Sequence, residues 1–137
     1  MKRVVLDVNV IVSAFPSKSG VPLTVVRFGL SGTFEIVMSE HILLGVKRAW
    51  DKPYYRERFN EIEARRALNV LRANAFVVEP SRAAMGVAND LEDDLVLGTA
   101  IAGQADYLVT GDRGLLRLVE YMGIEIVSPQ EFLLTIV

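Results

Sequence analysis

Five aspartates stand at positions from which a parallel α/β sheet would bring them together. Asp7 closes the apolar run Arg3-Val4-Val5-Leu6. Asp90, Asp93 and Asp94 open a stretch of helical periodicity, and Asp112 follows Asp106-Tyr107-Leu108-Val109-Thr110 after Gly111. Carboxylates held close together repel and raise one another's pKa unless a cation neutralises them, so a shared cluster implies a metal. Hard oxygen donors without cysteine favour Mg2+ or Mn2+ over zinc, and two such ions about 4 Å apart are the usual apparatus for hydrolysing a phosphodiester. Each acid also has a structural reading. Asp90 reads as a helix cap with Asp93 on the N-terminal dipole, and Asp112 reads as a cap as well. Asp7 is different, because it abuts the apolar run Val8-Asn9-Val10-Ile11-Val12, where an unpaired charge is costly. Asn9 either orients Asp7 or is a plain turn residue.

The elements that would position these acids follow from periodicity. Strands are expected at Arg3–Asp7, Phe34–Met38, Phe76–Glu79, Asp106–Thr110 and Ile124–Val127. Helices are expected from Pro22 to Leu30, from a Ser39 cap to Trp50, along an Ala64-Ala67-Leu68-Leu71-Ala75 stripe, from an Asp90 cap to Ala102, and from Asp112 to near Gly123. Strands alternating with helices predict a three-layer, Rossmann-like α/β domain with a central, mostly parallel five-stranded sheet. In such a sheet the residues just after a strand and at the next helix N-terminus share one edge, which would gather Asp7, Asp93 and Asp112.

Composition limits what can surround that edge. The chain has 137 residues, 51% hydrophobic and 23% charged, the size of one domain spanning 1–137. A helical arm is expected at about 40–75, around the irregular stretch Asp51-Lys52-Pro53-Tyr54-Tyr55-Arg56. No segment approaches the roughly eighteen apolar residues of a membrane span, and the N-terminus enters a strand rather than a leader, so the expectation is a cytoplasmic protein with no membrane partner. There is no cysteine, which excludes disulfides, thiolate metal sites and a thiol nucleophile. The net charge of −2 gives no global attraction to nucleic acid. Residues 47–72, however, carry eight basic side chains against four acidic ones, a local +4 that leaves −6 elsewhere. This segment is either a solvated helix face laced with ion pairs or a surface for a polyanion.

Three segments together, Val4-Val5-Leu6-Asp7-Val8-Asn9-Val10, Asp90-Leu91-Glu92-Asp93-Asp94 and Ala105-Asp106-Tyr107-Leu108-Val109-Thr110-Gly111-Asp112, resemble the PIN domain. The likeness is to its small prokaryotic members, among them the toxins of VapBC toxin–antitoxin pairs, and it runs to Ile126–Phe132. The resemblance implies a Rossmann-like sheet, Mg2+- or Mn2+-dependent endoribonuclease activity on RNA, homodimerisation and, in the toxins, a cognate antitoxin. Carried over by position, it implies Asp7 and Asp93 as principal metal ligands and Asp112 as a further catalytic and metal-binding acid, with Asn9 and Thr110 in support; Asp90 and Asp94, in the same helix start as Asp93, are further supporting candidates.

The family's usual glutamate, early in the helix after the second strand, is absent, because Ser39-Glu40-His41-Ile42-Leu43-Leu44-Gly45 places glycine there. At about 100° per residue Glu40 lies about 140° from the face of position 45 and His41 about 40° from it. His41 is thus the better geometrical substitute, as a metal or water ligand or as a structural histidine, and Glu40 the poorer one. Two further readings remain beside the nuclease. One is a catalytically impaired PIN-like module that binds RNA or protein, for which Gly45 is the motive. The other is an aspartyl phosphotransferase, disfavoured because Asn9 stands where a second acid belongs and no lysine follows Lys52.

Overall fold

A computed structural model describes residues 1–136. The chain runs β1 (Arg3–Leu6), α1 (Val8–Ala14), α2 (Val21–Leu30), β2 (Glu35–Met38), α3 (Glu40–Trp50), α4 (Pro53–Arg56), α5 (Glu61–Ala73) and β3 (Ala75–Val77). After a short 3-10 turn at Arg82–Ala84 come α6 (Leu91–Ala102), β4 (Tyr107–Val109), α7 (Arg113–Leu116), β5 (Glu120–Tyr121), β6 (Ile124–Val127) and α8 (Pro129–Ile136).

Val4, Val5 and Leu6 of β1 are wholly buried, as a central parallel strand covered on both faces requires. The sheet order is β3-β2-β1-β4-β6-β5, with every neighbouring pair parallel except β5 and β6. Phe34, Ile36 and Tyr107 turn toward α2 and α8: Phe132 of α8 makes edge-to-face contacts with Phe34 and Tyr107, and Gly29 lets α2 lie directly on Ile36. Val37 turns the other way, toward α6, where Gly103 leaves room for it. The result is the expected helix–sheet–helix sandwich.

The chain fills β1, β2 and β3 in one direction and then crosses back to place β4 beside β1. The carboxyl ends of β1 and β4 therefore flank the switch point, where open α/β sheets hold their ligands.

Several elements depart from the sequence expectation, α8 among them, a stretch assigned to no element from sequence. A sixth strand exists, because the helix expected to reach Gly123 stops at Leu116 and the chain returns as a hairpin. Val119 has φ 63°, which ends helical geometry, and Met122 and Gly123, with φ 51° and 83°, make the two-residue turn of that hairpin. The run after Asp7, assigned to no element from sequence, is α1: Val10, Ile11, Val12 and Ala14 are buried against α2 and α3, so packing overrides the low helix propensity of β-branched residues.

The segment expected as an arm carries α3, α4 and α5. Trp50, 2% exposed, anchors its start, donating from Nε1 to the Val12 carbonyl at 3.3 Å and stacking edge-on against Phe15 and Phe59.

Candidate active site at the sheet switch point

Asp7 caps α1 at the end of β1. Its backbone N–H donates to the Val109 carbonyl at 2.9 Å, which ties it to the end of β4. One carboxylate oxygen accepts from the Val8 N–H at 2.7 Å and the other from the Thr110 hydroxyl at 2.7 Å. Burial raises the Asp7 pKa above its ordinary 3.8, opposed first by the Thr110 hydrogen bond and then by Val8, while Asp112 pushes it up and His41 pulls it down.

Thr110, fully buried, joins two acids. It donates to Asp7 and its oxygen accepts from the Asp112 N–H at 2.9 Å. Asp112 in turn caps α7, accepting from Leu115 N–H at 2.9 Å. Asn9 accepts from Gly111 N–H at 3.5 Å, a long contact to the loop that carries Asp112.

Asp93, in the first turn of α6, faces this group. Its pKa is pushed up to about 7, by desolvation first and then by the charges of Asp112, Asp7 and Asp90 and a hydrogen-bonding contact with Asp112. Asp7 and Asp112, far from Asp93 in sequence, are thus close enough to oppose its ionisation.

Asp7, Asn9, Asp93 and Asp112 line one side of an open cleft of about 370 Å3. Across it α3 presents His41, Gly45, Arg48 and Ala49 at helical spacing, continued by Lys52 at the α3–α4 junction. A Cβ at position 45 would stand 3.0 Å from Val8 Cγ2, so Gly45 lets α3 pack against α1 and leaves no carboxylate on this wall.

Not every predicted residue joins the cleft. Asp94 turns away: buried, it accepts the Gly86 and Ala88 N–H groups, both at 2.8 Å, and fixes the loop before α6. Its neighbour's side chain points to the cleft because successive helical residues are about 100° apart. Asp90 is the α6 cap, accepting from Asp93 N–H at 3.2 Å, and reaches the site only through its charge. Glu40 lies outside the cleft, paired with Arg72. His41 does line it; its Nε2 is shielded from solvent, has no hydrogen-bond partner, and sits 3.2 Å from a Glu92 oxygen that is off line for such a bond.

Glu92, Arg48 and Lys52 are cleft residues that no motif singled out. Arg48 stands two turns from His41 on the same side of α3, Lys52 follows just past that helix and Glu92 precedes Asp93, a signal that acquires meaning only once the face toward the sheet edge is known.

Comparison with known proteins agrees with this fold. A family model described as PIN domain matches residues 3–114, which takes in β1, α6 and β4 with every cleft acid. The chain belongs to the PIN-domain family. PIN domains are generally nucleases. A chain in the crystal structure of VapBC2 from Rickettsia felis bound to a DNA fragment from their promoter has the same fold, with a TM-score of 0.59 at 14% identity over 90% of this chain and 98% of that chain. No curated protein matches the sequence. No helix among the described residues is long and apolar enough to cross a membrane.

Among the described residues no three His, Cys, Asp or Glu side chains are already grouped as a metal cage. The donor chemistry of this PIN domain nevertheless suits a hard divalent cation: the donors are carboxylate oxygens, and at neutral pH Asp93 is held only partly ionised by its neighbours.

Proposed function

We propose that this PIN domain is an Mg2+- or Mn2+-dependent endoribonuclease of the toxin type, with Asp7, Asp93 and Asp112 as both its catalytic and its metal-binding residues. The observation that carries the reading is the convergence of Asp7, Asp93 and Asp112 on the switch-point cleft, where desolvation first and then the charges of Asp112 and Asp7 push the Asp93 pKa up to about 7. A cluster so unfavourable when empty of cations is a structural liability that a site for phosphodiester chemistry explains. The cation, when bound, supplies Lewis-acid activation of water and neutralises charge on the phosphodiester.

The chain's own residues position the rest. Thr110 holds the Asp7 carboxylate and the Asp112 backbone in register through one hydroxyl, and the Leu115 N–H orients the Asp112 carboxylate. Asn9 steadies the Gly111 loop, and His41 adds positive character beside Asp7 when protonated. The cleft is open rather than enclosed, which admits a single RNA strand more readily than a small molecule that must be surrounded. A homodimer with a cognate antitoxin as partner is part of the same proposal. The Rickettsia felis protein of the same fold was solved as VapBC2, which supports the antitoxin half of it.

The impaired-module reading rests on Gly45, whose place is packed against Val8 with no room made for a fourth acid. One experiment separates the two. Purified chain incubated with single-stranded RNA and Mn2+ should cleave it, and Asp7→Asn should abolish cleavage while the fold is kept. RNA bound by the wild-type chain and left intact at every metal concentration would establish the binding module instead.

A further inference from the structure

The basic segment 47–72 divides sharply once its ion pairs are known. Lys47 and Arg56 both reach Asp51, at 3.2 and 2.8 Å, and Arg56 and Arg65 reach Glu61 at 3.5 and 3.7 Å. Arg58 meets Glu57, and Arg72 meets Glu40. These cations serve a solvated helix face. Arg48, Lys52 and Arg66 are exposed, and none is paired with a carboxylate among the described residues; Arg66 lies on α5 outside the cleft, whereas Arg48 and Lys52 line it, although Asp51 lies between them in sequence and the cleft is rich in acids. Helical spacing is the cause. Asp51 sits one turn from Lys47, whereas Arg48 and Lys52 are a turn apart on the next face, which looks across the cleft at Asp7, Asp93 and Asp112.

We propose that Arg48 and Lys52 form a phosphate seat on the α3 wall of the cleft, gripping a backbone phosphate of the polynucleotide beside the one that the carboxylate wall acts on. The seat rests on the reading of the cleft as a phosphodiester site. It makes the cleft bipolar: the acidic wall repels a polyanion until a cation neutralises it, and the opposite wall attracts the strand throughout. Arg48 offers a planar fork of donors and Lys52 a compact charge, both suited to phosphate oxygens and neither able to read a base from the backbone side. Gly45, one turn before Arg48, leaves the wall without a side chain that would hold the strand off. Arg48 and Lys52 are therefore substrate-positioning residues, indifferent to sequence and to the 2′-hydroxyl.

The test is anisotropy of fluorescent single-stranded RNA and DNA of one sequence on the full chain, in the Asp93→Asn background with EDTA so that nothing is cleaved, titrated with KCl. Arg48→Gln/Lys52→Gln should weaken both strands by about tenfold or more and lower the slope of log affinity against log salt by roughly 1 or more. Arg48→Lys/Lys52→Arg should retain most of the binding, and Arg65→Gln/Arg66→Gln on α5 should leave it unchanged. Melting temperatures establish that each variant is folded. With Asp93 restored and Mn2+ added, the glutamine pair should raise KM for cleavage while kcat is kept. Unchanged affinity or salt slope in the glutamine pair overturns the seat, as does equal loss in the α5 control or a background that binds neither strand. If the wild-type chain cleaves nothing while the pair still governs binding, the nuclease reading fails and the seat stands. If it cleaves with a KM indifferent to the pair, the reverse holds.

Discussion

Asp93 and Asp94 are adjacent in α6, carry the same charge, and have opposite relations to the fold. Asp94 is buried with both oxygens satisfied by the Gly86 and Ala88 N–H groups, so its carboxyl group finds all its partners within the fold. Asp93, about 100° further round the helix, faces Asp7 and Asp112, and its ionised form is what the metal-free protein resists. The difference teaches that a carboxylate's role is read from what surrounds its oxygens and not from its place in a motif. A satisfied carboxylate stabilises, whereas a crowded and unsatisfied one marks a place where a ligand completes the structure.

The comparison is most severely tested by neutralising each member. Asp93→Asn should lower RNA cleavage on the order of 10²–10⁴-fold, with a melting temperature equal to or above wild type in EDTA, because a repelling charge has been removed. A loss of stability with cleavage intact would assign Asp93 to the fold and reverse the contrast. Asp94→Ala should do the opposite: two backbone donors lose a charged acceptor, at a cost of roughly 1.5–3 kcal/mol, measurable as a shift in urea midpoint. Mn2+ affinity should remain near that of wild type.

Thr110→Val sharpens the contrast by removing the hydroxyl that links Asp7 and Asp112 while keeping its volume. Cleavage should fall about 10–100-fold and stability by about 1 kcal/mol, since the Asp112 N–H and one Asp7 oxygen both lose a partner.

The pH dependence follows in sign from the Asp93 elevation. With a folded pKa of about 7 against an ordinary 3.8, the folded chain holds this proton more tightly than the unfolded one. The associated stability is full below pH 3.8 and is lost as pH rises through about 7. Melting in EDTA should therefore decline over that range, and the decline should be reduced in Asp93→Asn. Mn2+ should raise the melting temperature most above pH ~7, where the carboxylates no longer compete with protons for the cation. A flat profile in the metal-free chain would remove the crowding on which the contrast depends.

The smallest effect is expected at Gly45→Ala. Helix propensity favours alanine by up to ~1 kcal/mol, but the new Cβ meets Val8 Cγ2 at 3.0 Å, so the net change should fall within about 1 kcal/mol of zero. A large destabilisation would show that the α1–α3 contact has no give.

Much of the frame was legible because it rests on local signals. Ser39, Asp90 and Asp112 cap the helices they were expected to cap. The five longer strands are recovered within a residue or two at their ends. Asp7, Asp93 and Asp112 meet because a parallel sheet leaves them no other edge. What failed shares one character. Val8–Ala14 is helical against its own propensity, and the Met122-Gly123 hairpin lacks the usual Asn-Gly or Asp-Gly turn residues. Asp94 and Glu40 carry the same chemistry as the cleft acids and are committed elsewhere, to backbone donors and to Arg72.

Periodicity and chain order dictate the alternation of strand and helix, the parallel sheet that alternation implies, and the edge at which the aspartates collect. Which acids are already satisfied, which cations are left without partners, and which helix face looks into the cleft are settled by packing in three dimensions. Those outcomes depend on the rotation of α3 and α6 about their axes, fixed by packing against the sheet and against α1. A single residue's turn of 100° separates a buried structural carboxylate from one that faces the site.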